Sequence, residues 1–122
     1  MARTHLLFAF FLSLTSLLGA QEDYGTPEER ARYQTDRMRN ELPLREQQVS
    51  SVHQLNLKYA KRVQREVIDT GMNHFSAYFH IQNLIAQKEE ELFPLLSGQQ
   101  IEQYRSLKSS VIKMLVARFF GG

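Results

Sequence analysis

The side chains in this chain best suited to acid–base or metal chemistry are three histidines, His53, His74 and His80, and the acidic run Glu89-Glu90-Glu91. A two-histidine metal pair on a helix needs a spacing of three or four residues, which puts both imidazoles on one face. His74 and His80 are six apart and His53 belongs to another helical segment. His74 and His80 therefore stand only as the ligands of an alternative, metal-responsive reading. The acidic run reads first as a solvated helix end. It also has the composition of a soft carboxylate site, or of a salt-bridge partner for a basic flank elsewhere. No Gly-rich phosphate loop, Gly-x-Ser-x-Gly elbow or His-Glu-x-x-His helix occurs. The chain has no cysteine, which excludes a thiolate nucleophile, a disulfide and a zinc–thiolate site. The expectation is a protein that is not an enzyme and needs no cofactor.

What remains is surface. Phe75, Tyr78 and Phe79 recur at helical spacing, and two readings stay open for them. Most such stripes are core; the alternative is an exposed patch that binds other apolar chains. Lys58, Lys61, Arg62 and Arg65 make a basic flank that would suit partly unfolded clients of mixed charge, and would equally suit an ordinary amphipathic helix. Phe119-Phe120 adds an apolar end that either docks on the body or presents a sticky tail.

The elements that must position these residues read as helices throughout. Residues 1–20 have the pattern of a secretory leader: Arg3 and His5, an apolar run from Leu6, then small Gly19 and Ala20 before polar Gln21. The competing reading is a retained membrane anchor, disfavoured by the short segment and the lack of a basic cluster after it. Export is thus expected, with no membrane insertion once the leader is removed. The formal charge is +2, and the leader takes Arg3 with it, leaving a near-neutral chain with no electrostatic case for nucleic acid. A core built from about 100 residues is modest, so a homodimer would be a natural supplement.

After a flexible lead at 21–25, Thr26-Pro27-Glu28-Glu29 predicts a capped helix start. The helix to Leu42 has few apolar residues, Ala31, Met38 and Leu42, and reads as thinly anchored. Its arginines, Arg30 among them, read as a solvated face. Pro43 ends it. A second helix is predicted from Arg45 to about Ile68, with Gly71 as the break. Asn73 caps a third, and Ser97 caps a fourth. No strand alternation is visible. The expected fold class is all-α, about four helices, in a single domain over 26–118 with an apolar tail at 119–122.

Two stretches repeat. Leu44-Arg45-Glu46-Gln47-Gln48 and Leu96-Ser97-Gly98-Gln99-Gln100 share a leucine followed by a glutamine pair, and each feeds an apolar helical period. Leu44, Gln47, Gln48, Leu96, Ser97, Gln99 and Gln100 are read as structural motif positions whose glutamines bridge helix ends. Ser97 is a plausible cap; Arg45 in the matching place forfeits one, a loss of about 1 kcal/mol.

The second stretch resembles the leucine–threonine–x–x–glutamine signature of the Spy/CpxP family of periplasmic stress proteins, which carry it twice about 50 residues apart. Thr26-Pro27-Glu28-Glu29-Arg30, Gln34-Thr35-Asp36-Arg37-Met38 and Leu55-Asn56-Leu57-Lys58-Tyr59-Ala60 are similar to the small exported members found in the Bacteroidetes. The resemblance spans about Thr26 to Lys113. It departs at Arg45, and at Thr70 to His80, which is aromatic where relatives are charged. It implies a thin, curved helical-hairpin arrangement, often a homodimer, in the periplasm. It also implies ATP-independent chaperone activity toward unfolded or partner polypeptides, inhibition of an envelope-stress sensor as an adaptor, or heavy-metal sensing. The expected function is a chaperone-like, stress-response binding protein. The alternatives are a metal-responsive sensor or regulator, or a structural adaptor to an envelope protein docking through Phe119-Phe120.

Overall fold

Thr26 opens the first helix through a capping box closed in both directions. Its hydroxyl accepts the Glu29 amide at 3.0 Å, and the Glu29 carboxylate accepts the Thr26 amide at 2.9 Å. The computed structural model describes residues 25–120, with side chains as far as residue 109. The expected leader at 1–20 and residues 21–24 of the lead lie outside the described residues. So do the side chains of Phe119 and Phe120. Helix α1 is Pro27–Glu41, α2 is Glu46–Val63, α3 is His74–Leu92 and α4 is Gly98–Phe120. A π-helical turn, Gln64–Ile68, prolongs α2, and a 3-10 turn, Phe93–Leu95, leads towards α4. The fold is all-α, four helices in a helical-hairpin arrangement, with no strand among the described residues.

Local chemistry sets each boundary. At the end of the π turn the Asp69 amide reaches back to the Gln64 carbonyl at 2.8 Å, and Gly71 then takes a positive φ of 68° that a side chain would resist. The Asn73 carboxamide oxygen accepts the Ser76 amide at 2.8 Å and starts α3. Met38, Leu42, Val52, Tyr59, Ile81 and Leu84 meet in the core between α1, α2 and α3.

Helix α1 is not thinly anchored. Ala31 is completely buried, and Gln34 and Thr35 are buried beside it, so short and polar side chains bring α1 close against α2. The Thr35 hydroxyl donates to the Ala31 carbonyl at 2.8 Å and accepts from Asn56 Nδ2 at 3.0 Å. Its single proton is then committed, so His53 Nδ1, 3.1 Å away, must be the donor of that contact. Arg30 also departs from expectation. It is buried rather than solvated, and donates to the Gly25 carbonyl and to Gln64 Oε1, both at 2.8 Å.

The two repeated stretches meet each other. At the start of α4, Ser97 Oγ accepts the Gln100 amide at 3.1 Å and Gln100 Oε1 accepts the Ser97 amide at 2.9 Å. At the start of α2, Gln48 Oε1 accepts the Arg45 amide at 2.8 Å, while the Gln48 amide turns to the Arg45 carbonyl at 2.9 Å for want of a capping hydroxyl. The carboxamides then pair reciprocally: Gln48 Nε2 donates to Gln100 Oε1 at 2.7 Å, and Gln100 Nε2 donates to Gln48 Oε1 at 3.0 Å. The remaining protons go to the Leu95 carbonyl at 3.0 Å and the Leu42 carbonyl at 3.2 Å. Every donor and acceptor of both buried amides is used. Leu96 is buried beside them and Leu44 half-buried, while Gln47 and Gln99 are exposed.

Removing either carboxamide strands the other in the interior. Gln48→Ala and Gln100→Ala should each cost about 1–3 kcal/mol, with the double variant costing clearly less than the sum, as read from urea midpoints. A second expectation concerns Lys88, half-buried among Met38, Ile81 and Ile85, whose amine donates to Gln34 Oε1 at 3.2 Å. Burial pushes this amine down to about 8, against a smaller opposing pull from Glu89. The unfolded chain then binds the proton more tightly, so the lysine's charge costs stability below pH 8 and the cost fades as pH rises from 8 towards 10.5. Lys88→Met should be more stable than the parent at pH 7, with the gap narrowing by pH 9.5 in thermal melts.

Candidate docking face on helix α3

Residues 70–87 contain no Asp, Glu, Lys or Arg. Within that stretch α3 shows two apolar stripes. Ala77, Ile81 and Leu84 form the inward one, all essentially buried. Phe75, Tyr78 and Phe79 form the other, and they are 73 %, 47 % and 56 % exposed. The commoner expectation, that these aromatics are core, is therefore overturned: the compact stripe lies inside and the bulky one faces out. The rings still pack on each other. Phe75 and Phe79 meet edge to face with centroids 5.0 Å apart, and Tyr78 and Phe79 do so at 5.4 Å. Such a cluster is a preformed apolar surface, with the Tyr78 hydroxyl as a polar handle.

A polar ladder attaches α3 to α2 along a different side. Lys58 Nζ contacts Glu91 at 2.9 Å, Arg62 Nη1 donates to Gln87 Oε1 at 2.8 Å, and His80 Nε2 lies 2.9 Å from Glu66 Oε1. Tyr59 also hydrogen-bonds the Glu91 carboxylate. His80, Gln87 and Glu91 mark the α2-facing stripe, which at 100° per residue lies about 100–160° around α3 from the aromatic rings. Aromatic and basic residues thus do not share one face. Lys58 and Arg62 are spent on the ladder. Lys61 on α2 and Arg65 on the π turn are exposed, Arg65 at 3.6 Å from Glu66.

The acidic run is not merely a solvated end. Glu91 belongs to the ladder, and Glu89 Oε2 accepts the Tyr104 hydroxyl at 2.8 Å and Lys108 Nζ at 2.6 Å, which ties α3 to α4. Among the histidines, His80 is held by Glu66, His53 by Thr35, and His74 is exposed at the first position of α3. No group of three His, Asp or Glu side chains gathers as a metal ion would need among the described residues. No helix among them is long and apolar enough to cross a membrane. The exposure of the rings was not signalled by any single residue. The uncharged stretch around them was visible, and marks where one face of a helix lacks the usual solvating charges.

Glu66 is the hinge of the ladder's electrostatics. Its hydrogen bond from Arg62, at 2.7 Å, and then that with His80 hold its carboxyl down at about 2. A depressed folded-state value contributes stability above the ordinary value of 4.5, and that contribution drains away as pH falls from 4.5 towards 2. Glu66→Gln should therefore flatten part of the acid limb of the stability profile, measured by denaturant midpoints between pH 7 and pH 2.5, and should change nothing above pH 7 in its slope.

A family model described as a domain of unknown function, DUF4890, matches residues 19–104. That span takes in α1 to α3, both members of the glutamine pair and the aromatic cluster. Neither curated proteins nor solved structures gave a match. With well over half of its length matched, the chain belongs to the DUF4890 family.

Proposed function

We propose that this protein is an exported, ATP-independent, chaperone-like binding protein that holds partly unfolded or partner polypeptides on the outer face of α3. One observation carries the reading: Phe75, Tyr78 and Phe79 stand exposed as a packed cluster on an uncharged helical face. A surface of this kind gains most from apolar segments that a folded partner would hide, and needs no nucleotide to do so. The leader-like residues 1–20 support export, and the resemblance of the repeated glutamine stretches to the Spy/CpxP signature supports a periplasmic stress role. The basic residues of α2 and the π turn do not enter the reading, since two of the four, Lys58 and Arg62, are tied to α3.

The test is light scattering with a denatured client at stoichiometric ratio. The mature protein should delay aggregation, and Phe75→Ser/Phe79→Ser should cut that delay at least about threefold while leaving helicity and melting temperature near parental values, as expected for exposed anchor residues. A parent without effect on the client, or a variant as effective as the parent, overturns the proposal.

A further inference from the structure

Among the lysines whose side chains are described, Lys88 stands apart. Lys58 and Lys108 pair with Glu91 and Glu89, and Lys61 is exposed. Lys88 continues the inward stripe of Ile81 and Leu84 and, among the described residues, has no ion pair. It lines a cavity of about 30 Å³ to which all four helices contribute, with Gln34, Met38, Ala60, Ile81 and Tyr104 among the walls. A single water needs about 10–15 Å³ on the same measure, so the cavity has room for a small organic group. The lining is mainly apolar, and Lys88 is the one lysine, arginine or carboxylate in it. Its amine donates to Gln34 Oε1 at 3.2 Å. That oxygen can only accept, so it holds an N–H and leaves the lone pair of a neutral amine uncommitted.

We propose that Lys88 is a covalent capture site for short apolar aldehydes, which it holds as imines in this cavity. The amine lone pair adds to the carbonyl carbon, and the carbinolamine then loses its oxygen as water, together with both amine hydrogens. Nothing is oxidised or reduced, and water reverses the step. The surroundings favour the reactive form of the amine. Burial among apolar walls disfavours the ammonium and holds Lys88 down at about 8, against a smaller pull from Glu89. The Glu89 carboxylate is itself committed to Tyr104 and Lys108. At pH 7 such an amine is about one-tenth neutral, against about one part in three thousand at the ordinary value of 10.5. The small volume admits short chains, and the apolar walls disfavour charged carbonyl compounds, whose ions would lose water without a partner. Lys88 is half-buried, which leaves the side chain an approach from water. The site lies on the inward stripe of α3, away from Phe75, Tyr78 and Phe79, and does not rest on the client reading.

The test treats the full chain at pH 7 with propanal and cyanoborohydride. The reagent adds hydride to the imine carbon and fixes each adduct as a secondary amine, and peptide mass spectrometry then gives the rate at each lysine. Lys88 should be modified at least about tenfold faster than exposed Lys61, even after its lower basicity takes back part of the advantage. The preference should vanish in denaturing urea. With glyoxylate, a short but charged aldehyde, the ratio of Lys88 to Lys61 should be at least about threefold smaller than with propanal. Lys88→Met, checked for its fold by thermal melting, should lose the fast phase of total uptake. A ratio near one in the folded chain overturns the proposal, as does a preference that survives urea. Equal ratios for the two aldehydes, or a fast phase that persists in Lys88→Met, overturn it too.

Discussion

Two buried glutamines, Gln48 and Gln100, hold the architecture at its most vulnerable place. The α1–α2 and α3–α4 connections approach each other there, and each brings backbone carbonyls, those of Leu42 and Leu95, away from water. Unpaired, these groups would each cost on the order of a kilocalorie or more. Two carboxamides facing one another solve the problem for both loops at once, because each has two donors and two acceptor sites and every one is occupied. The amides also finish the first turns of α2 and α4, which is how the missing cap at Arg45 is tolerated: Gln48 still serves the Arg45 amide, so only the return bond is lost.

From that clasp the helices are fixed to one another by two different means. Helix α1 adheres through close approach, with Ala31 at the contact and Thr35 sharing its hydroxyl among the Ala31 carbonyl, Asn56 and His53. Helix α3 adheres through a narrow compact stripe and a ladder of charged and amide groups from Lys58 to Glu66. Neither attachment calls on Phe75, Tyr78 or Phe79. The rings are thereby free to serve as a surface, and the architecture loses nothing by leaving them exposed. A surface so apolar carries an aggregation hazard.

What was legible beforehand was what depends on near neighbours. The Thr26 box, the Asn73 and Ser97 caps and the Gly71 terminator each involve groups within three or four residues, so residue type and spacing suffice to place them. The repeat of the glutamine stretches was legible as well, and the bridge between helix ends holds for Gln48 and Gln100 but not for the exposed Gln47 and Gln99; that the two copies would bond each other was not legible. Arg30 was misread because its partners, Gly25 and Gln64, become neighbours only when the hairpin closes. For the acidic run the solvated-end reading gave way to its alternative, a salt-bridge partner for the basic flank, because Lys58, like Lys108, arrives from another helix.

The sequence by itself determined the four helices of the described residues, the caps at Thr26, Asn73 and Ser97, and the absence of cysteine, because these follow from local backbone preference and from residue inventory. The orientation of α3 was decided only by the tertiary structure. Ala77, Ile81 and Leu84 have the same helical period as Phe75, Tyr78 and Phe79, so periodicity alone cannot say which stripe turns inward. The smaller side chains fit the space beside α2 that the Glu66, Gln87 and Glu91 contacts set, and the rings were left to face water.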